Sequence, residues 1–159
     1  MRSHYEAQVF SVIIQNQYIE GKFLLETSLQ VCIENYGFTW ENLNFYNISS
    51  DDTVHSIPKD IYDDWININS RSHLLAPLFS PCKVNLISQK VYDYLITEHD
   101  YRWCSFHCLT RPGFTADSSH ALIEVNYCCP ASVQYGSLLY LERSHEEWKV
   151  KSSRGIYSQ

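Results

Sequence analysis

The chain has 159 residues, the usual size of one domain that buries its own core. Hydrophobic residues make up 45% and charged residues 19%, a composition typical of a globular rather than a disordered protein. The net charge of −6 argues against a nucleic-acid surface, because such a surface needs clustered lysine and arginine. We therefore expect a single domain over residues 1–159.

The sequence contains no targeting or membrane signal that we recognise. No run of 18 apolar residues occurs, and the apolar stretch near the N-terminus is broken by Gln15, Asn16 and Gln17. This pattern predicts a cytoplasmic protein. Its six cysteines are then expected to be reduced thiols.

The first half of the chain begins with a predicted helix and a predicted strand. Ser3 and Glu6 have the spacing of a capping box, and apolar residues follow at helical intervals as far as Gln17. From Lys22 to Val31 the apolar residues alternate, which predicts a half-buried strand. The stretch from Glu34 to His55 is irregular and rich in aromatic residues, so we expect a long surface segment with a short helix at 39–43.

Two further helices are predicted in the middle of the chain. Ser56 can cap a helix over 57–69, in which a buried stripe is formed by Ile57, Ile61, Trp65 and Ile68. Asp60, Asp63 and Asp64 lie off this stripe and are expected to face water. A short strand at 84–87 is followed by a third helix that Ser88 can cap.

The C-terminal third has the clearest pattern. Strand-like segments separated by turn residues run over Cys104–Thr110, Ala121–Cys129, Ser137–Arg143 and Trp148–Ser153. Short connections make such neighbours antiparallel. The predicted fold is therefore α+β, with N-terminal helices packed on a C-terminal antiparallel sheet of about four to six strands.

Scattered residues between positions 60 and 158 carry a resemblance to other proteins. They are Asn69-Ser70, Pro77-Leu78-Phe79, Val84 to Ser88, Arg111, Gly113-Phe114, Ala121-Leu122, Val125-Asn126, Gly136, Leu139, Trp148, Val150 and Ser158. In order and spacing they resemble a group of small, largely uncharacterised bacterial proteins. The resemblance implies an antiparallel sheet backed by helices, and it implies no catalytic residues.

Candidate catalytic and metal-binding residues form no recognisable motif. Cys104, His107 and Cys108 are close in sequence, but a strand would point His107 away from the two thiols. Together with His120 and Glu124 these residues supply the types needed for a thiol enzyme, without a signature around any of them. We therefore predict no enzyme, no metal and no cofactor.

The sequence leaves two functions open. One is a nuclear-transport-factor-like cone that binds or transforms a small molecule in a cavity lined by Trp103, Phe106, Tyr127 and Tyr140. The other, which we favour, is a bacterial immunity protein that neutralises a basic toxin domain through acidic and aromatic residues. Its predicted partner-binding residues are Trp40, Tyr46, Asp51, Asp52, Asp60, Asp63 and Asp64.

Overall fold

The computed structural model describes residues 1–17, 19–49, 53–79, 83–98, 105–129 and 135–156. Within these ranges the α-helices are Arg2–Asn16 (α1), Lys59–Ile68 (α2) and Gln89–Thr97 (α3). The strands β1 to β9 are Phe23–Leu25, Phe45–Asn47, Val54–His55, Asn85–Ile87, Phe106–Leu109, Gly113–Phe114, His120–Cys128, Tyr135–Ser144 and Glu147–Ile156. Short 3-10 helices lie at Ile33–Asn35, Trp40–Asn42 and Ala76–Leu78.

In the described part of the chain all nine strands belong to one mixed sheet. Eight follow the order β3-β2-β9-β8-β7-β5-β1-β4, and β6 pairs with β7. The strands β5, β7, β8 and β9 are antiparallel neighbours, whereas β1 runs parallel to both β4 and β5. The predicted α+β class and the four C-terminal antiparallel strands are confirmed.

Three details of the predicted fold are wrong. The sheet is larger than four to six strands, because the short strands β1 to β4 extend both of its ends and β6 pairs with β7. It is mixed rather than antiparallel, since β1 enters it between two parallel neighbours. The helices are not all N-terminal, because α3 lies between β4 and β5 along the chain.

Helix α1 covers one face of the sheet, which we call the α1 face. Its buried residues include Val9, Phe10 and Ile13, and they pack in one core with Ile123 of β7 and Leu139 of β8. The spacing of these residues along α1 is the one predicted for its buried stripe. A helix of this kind is held mainly by the apolar face that it buries.

The predicted N-terminal capping box of α1 is wrong. The residue at the cap is Met1, and no side chain caps the helix. Glu6 is turned inward instead, where its carboxylate accepts hydrogen bonds from Arg2 and Arg111. An ion pair within the fold therefore replaces the local bond that the spacing of Ser3 and Glu6 predicted.

Helix α2 covers the opposite face of the sheet, the α2 face. Ile57, Ile61 and Trp65 are buried there with Leu122 of β7 and Leu138 of β8. These three members of the predicted stripe are confirmed.

Two details of the α2 prediction differ from the structure. Ile68 is only half-buried. Pro58, rather than Ser56, is the cap residue, and no side chain caps the helix. Pro58 has no backbone N–H to leave unpaired at this position, which suits a helix start.

Helix α3 begins as predicted. The Ser88 hydroxyl accepts a hydrogen bond from the Val91 amide at 3.2 Å, and Tyr92 packs its ring against Phe106 of the α2 face. The predicted strand before it is confirmed as β4. No helix in the described part of the chain is both long and apolar enough to span a membrane.

Candidate functional site

Strands β2 and β3 lie at one end of the sheet, and three large apolar side chains are exposed on them and directly after β2. Tyr46 is 60% exposed, Ile48 57% and Val54 48%. Tyr46 lies directly opposite Val54, and Ile48 continues the ladder by donating its amide to the Lys151 carbonyl at 3.1 Å. Because Tyr46 and Val54 are a directly opposed pair, their side chains point to the same side of the sheet, and Ile48 directly follows β2. We call Tyr46, Ile48 and Val54 the edge patch.

The pairing of β2 with β9 shows which side of the sheet the edge patch occupies. Tyr46 pairs with Ser153, and Ser153 pairs with Leu139 of the core under α1. Phe45, the preceding residue, is fully buried in the α2-face core. The edge patch therefore extends the α1 face, at a place that α1 leaves open to solvent.

Three carboxylates from separate parts of the chain lie around Tyr140 on the α2 face. Asp60 lies in the first turn of α2, Asp117 in the turn after β6, and Glu142 on β8. The pKa of Tyr140 is raised to about 12, first by burial and then by the charges of these three residues. We call Asp60, Asp117 and Glu142 the acidic flank.

A row of rings connects β3 to the acidic flank. The His55 ring centroid lies 5.6 Å from that of Tyr140, and His120 stacks on Tyr140 at 5.3 Å. His55 Nε2 lies 2.8 Å from the Ser152 hydroxyl, and its Nδ1 lies 3.0 Å from the Ser56 carbonyl. Ser152 is fully buried, so no substrate can reach this serine–histidine pair. Its role is to fix β3 against β9.

The turn that carries Asp117 also contains a serine and a histidine, but not in a catalytic arrangement. The Ser119 hydroxyl donates to Asp117 at 2.6 Å and lies 2.8 Å from His120 Nδ1. Hydrogen bonds from Ser119 and Thr115 lower the pKa of Asp117 to about 2. In a hydrolase triad the carboxylate orients the histidine, whereas here it holds the serine. This set of bonds stabilises a tight turn.

The structure separates the two aromatic residues predicted to bind a partner. Trp40 is half-buried against the α2-face core, and its indole N–H donates to the Ile57 carbonyl at 3.0 Å. The ammonium group of Lys59 lies 6.0 Å from its ring centroid. Tyr46 lies on the other face of the sheet. Asp51 and Asp52 lie outside the described residues.

The three predicted aspartates of α2 have different surroundings. Asp60 is exposed, and Asp63 is exposed and pairs with Lys59 at 2.7 Å. Asp64 is half-buried, and it accepts from Arg2 at 3.1 Å and from the Phe114 amide at 2.7 Å. The prediction that all three face water is therefore wrong for Asp64, because its partners come from distant parts of the chain.

The Arg2 side chain links Asp64 to a buried ion pair. The Glu6 carboxylate, 1% exposed, lies 3.0 Å from Arg2 Nε and 2.8 Å from an Arg111 nitrogen. These bonds join α1, α2 and the segment before β6. An open groove of about 390 Å³ beside them is lined by Asp60 and Asp64.

The residues considered for a thiol enzyme are not arranged for one. His107 and Cys108 are consecutive on β5 and point to opposite faces. Burial, followed by the charges of Cys128 and Glu124, raises the pKa of Cys108 to about 12. Since the thiolate is the nucleophile, a thiol with so high a pKa is unreactive. Cys104 lies outside the described residues.

Glu124 is buried on the α2 face and engaged by the fold. Burial raises its pKa, while its carboxylate accepts a 2.5 Å hydrogen bond from the Tyr36 hydroxyl. That bond ties the 3-10 helix at Ile33–Asn35 to the centre of β7.

The residues considered for a small-molecule cavity do not line a common space. Phe106 and Tyr140 lie on the α2 face, whereas Tyr127 lies on the α1 face next to His107. Trp103 lies outside the described residues. Among the residues that the structure describes, no group of three histidine, cysteine, aspartate or glutamate side chains is placed to hold a metal ion.

Part of the edge patch and part of the acidic flank could not be predicted from the sequence. The sequence pattern places Ile48 and Val54 in an irregular segment, although Ile48 alternates with Tyr46. Asp117 lies in a turn-like stretch, and its proximity to Asp60 depends on how β6 packs under α2. Glu142 reaches the flank because β8 pairs with β7 in the observed register.

Comparisons with known proteins add no relatives. No family model, no curated protein and no solved structure matches this chain. The resemblance to small bacterial proteins therefore stays a prediction.

Proposed function

We propose that this protein binds one basic protein partner through the edge patch and carries out no chemistry of its own. The observation that carries the proposal is the joint exposure of Tyr46, Ile48 and Val54, each about half exposed or more, at the β2–β3 end of the sheet. Contiguous apolar surface of this kind is a common mark of interaction sites. Tyrosine is also among the residues enriched at binding hot spots.

The acidic flank supports a basic partner. Asp60, Asp117 and Glu142 lie around Tyr140 on the α2 face, where Glu142 pairs with Lys151 at 3.3 Å, and the whole chain carries a net charge of −6. Carboxylates near a contact steer an oppositely charged partner and raise the rate of association. The apolar side chains then hold the complex together.

An immunity function fits this combination. A small acidic domain that covers a basic toxin domain needs a contact surface and a steering field rather than an active site. The proposed partner is accordingly the toxic domain of a bacterial effector, bound in the cytoplasm. This assignment rests on the surface chemistry and on the resemblance to small bacterial proteins.

Site-specific photo-crosslinking in the source cells tests the proposal. A benzophenone amino acid at position 46 should capture one basic protein. The same amino acid at Leu74, which is 65% exposed near the other end of the sheet, is the control and should not capture that protein. Equal capture from both positions would reject the edge patch as the contact.

Affinity and rate measurements with the captured protein complete the test. Tyr46→Ala should weaken binding by about 30-fold, which corresponds to about 2 kcal/mol for a hot-spot residue. Leu74→Ala should leave the affinity unchanged. If this protein instead converted the captured protein catalytically, an enzymatic function would replace the proposed binding function.

Charge substitutions test the steering role. Asp60→Asn with Glu142→Gln should slow association at low salt and reduce its dependence on salt. Glu20→Gln with Glu98→Gln makes the same change in net charge elsewhere on the surface and serves as the control. Equal effects of the two pairs would show that net charge alone, rather than the acidic flank, controls the rate.

A further inference from the structure

A groove runs between α1 and the hairpin that joins β8 to β9. It has a volume of about 320 Å³, and it is lined by Gln8, Ser11 and Val12 of α1 and by Glu146, Glu147 and Trp148 of the hairpin. The indole N–H of Trp148 donates to the Gln8 side chain at 3.1 Å, so a hydrogen bond joins the two walls. We call this space the hairpin groove.

Two carboxylates line the hairpin groove at the turn. Glu147 is exposed, and within the described part of the chain it has no ion-pair partner. Glu146 is 83% exposed, and its ion-pair partner is Arg143 at 3.4 Å. The Arg143 guanidinium also lies 4.6 Å from the Tyr5 ring centroid and donates to the Ser118 carbonyl at 3.1 Å. The turn end of the groove therefore carries a net negative charge.

Two lysines near the hairpin groove define its polarity. The Lys83 ammonium group lies 3.4 Å from the hydroxyl of Ser11, which is one helical turn beyond Gln8 and farther from the hairpin. Lys149 pairs with Glu142 across the two strands and points to the α2 face, away from the groove. A positively charged group in the groove is therefore attracted to the turn end and repelled from the Ser11 end.

The hairpin groove and the edge patch lie on the same face of the sheet. Trp148 belongs to the core under α1, and so does Leu139, which pairs with Ser153. Ser153 in turn pairs with Tyr46 of the edge patch. Five residues separate Trp148 from Ser153 on β9, a distance of about 16 Å along a strand. A standard interface covers about 800 Å² on each partner, a surface about 30 Å across, so one partner can contact both places.

We propose that the partner inserts one lysine or arginine side chain into the hairpin groove while its apolar surface covers the edge patch. This inference rests on the proposed function and locates the basic contact of the partner. The charged head of the side chain lies at Glu146 and Glu147, and its methylene stem lies against Val12. Lysine and arginine combine these two properties, because the stem packs on apolar surface and the head remains at the solvent boundary.

The lining of the groove disfavours other side chains as the occupant. An acidic side chain would be repelled by the two carboxylates. An apolar side chain would remove the carboxylates from water without giving them a partner, which is costly. A lysine or arginine instead forms charge-assisted hydrogen bonds with them, and these are stronger than hydrogen bonds between neutral groups.

Photo-crosslinking from a position beside the hairpin groove tests the contact. His4 is exposed, and its ring lies 3.0 Å from the Gln8 side chain, so a benzophenone amino acid at position 4 projects next to the groove. It should capture the same basic protein as position 46. The same amino acid at Asp63, which is exposed on α2 at the opposite face of the sheet, is the control and should not capture it.

The crosslinking outcomes separate this inference from the proposed function. Capture from position 46 without capture from position 4 would overturn the groove contact and leave the proposed function standing. Equal capture from positions 4 and 63 would also overturn it. If position 46 captures nothing, the proposed function itself fails.

Neutralisation of the two carboxylates tests the charge. Glu146→Gln with Glu147→Gln should weaken binding of the captured protein about tenfold, the effect of one lost charge-assisted hydrogen bond. Glu20→Gln with Glu98→Gln makes the same change in net charge elsewhere on the surface and should leave the affinity unchanged. Equal losses of affinity for the two pairs would contradict a specific contact at the groove.

A double-mutant cycle identifies the inserted side chain. Each lysine and arginine of the captured protein is replaced by alanine, and its affinity is measured for the wild type and for the Glu146→Gln, Glu147→Gln variant. One replacement should weaken binding to the wild type and have little effect on binding to the variant, because both changes remove the same interaction. Additive effects for every basic residue of the captured protein would refute the insertion of a basic side chain.

Discussion

Glycine at position 113 is required by the close approach of β6 to α2. A Cβ atom added to Gly113 would lie 2.6 Å from each of three Trp65 atoms, namely the backbone N and Cα and the side-chain Cβ. The helix cannot move away easily, because it is bonded to the chain on both sides of the glycine. Asn69 bonds the Arg111 backbone at 2.8 and 2.9 Å, and the Phe114 amide donates to α2 at 2.7 Å. Relief of the clash needs a shift of about 1 Å, since carbon atoms pack at about 3.5–4 Å.

The substitution Gly113→Ala should therefore destabilise the protein by about 3 kcal/mol, near the upper end of the usual cost of overpacking a core. Urea unfolding followed by tryptophan fluorescence measures this change. Gly155→Ala is the matched control, because no atom lies within 4 Å of a Cβ at that position, and its stability should equal or slightly exceed that of the wild type. A change below about 0.5 kcal/mol for Gly113→Ala would refute the packing of α2 on β6.

Three further predictions concern the interior of the fold. Trp65→Ala should cost about 3–5 kcal/mol in urea unfolding, because the ring is fully buried, and a cost below about 1 kcal/mol would contradict that burial. Burial raises the pKa of Glu124 above its ordinary 4.5, so at a pH just above 4.5 the folded state holds a proton that the unfolded state releases. The free energy of unfolding of the wild type should therefore fall, relative to that of Glu124→Gln, as the pH rises above 4.5. Unfolding curves between about pH 4 and 8 measure this difference, and a constant difference would contradict it. Iodoacetamide should label exposed Cys32 in the native protein and leave Cys108 unlabelled, as peptide mass spectrometry can show.

The elements with strong sequence periodicity were predictable. The α2 stripe of Ile57, Ile61 and Trp65 was found because a helix buried on one side repeats its apolar residues every three or four positions. The four C-terminal strands were predicted because turn residues flank each of them. Ser88 was found as a cap because it directly precedes the apolar pattern of α3.

The remaining elements were missed for reasons of length and distance. Strands β2, β3 and β6 have only two or three residues, too few to show an alternating pattern. The parallel pairing of β1 joins it to strands that lie 62 and more positions later in the sequence, as at Phe23 and Asn85. Such pairing depends on the tertiary structure rather than on local preference. The predicted strand at 22–31 was accordingly too long, since β1 ends at Leu25.

The candidate site also combines residues that local sequence predicts with residues that only the tertiary structure brings together. Tyr46 was predicted as a binding residue from composition, but its neighbour Val54 becomes part of the same surface only through the β2–β3 pairing. Asp64 was predicted to face water because it lies off the apolar stripe of α2. Its partner Arg2 lies 62 positions away. Charge near a helix can be counted from sequence, but which charges remain available to a partner requires the fold.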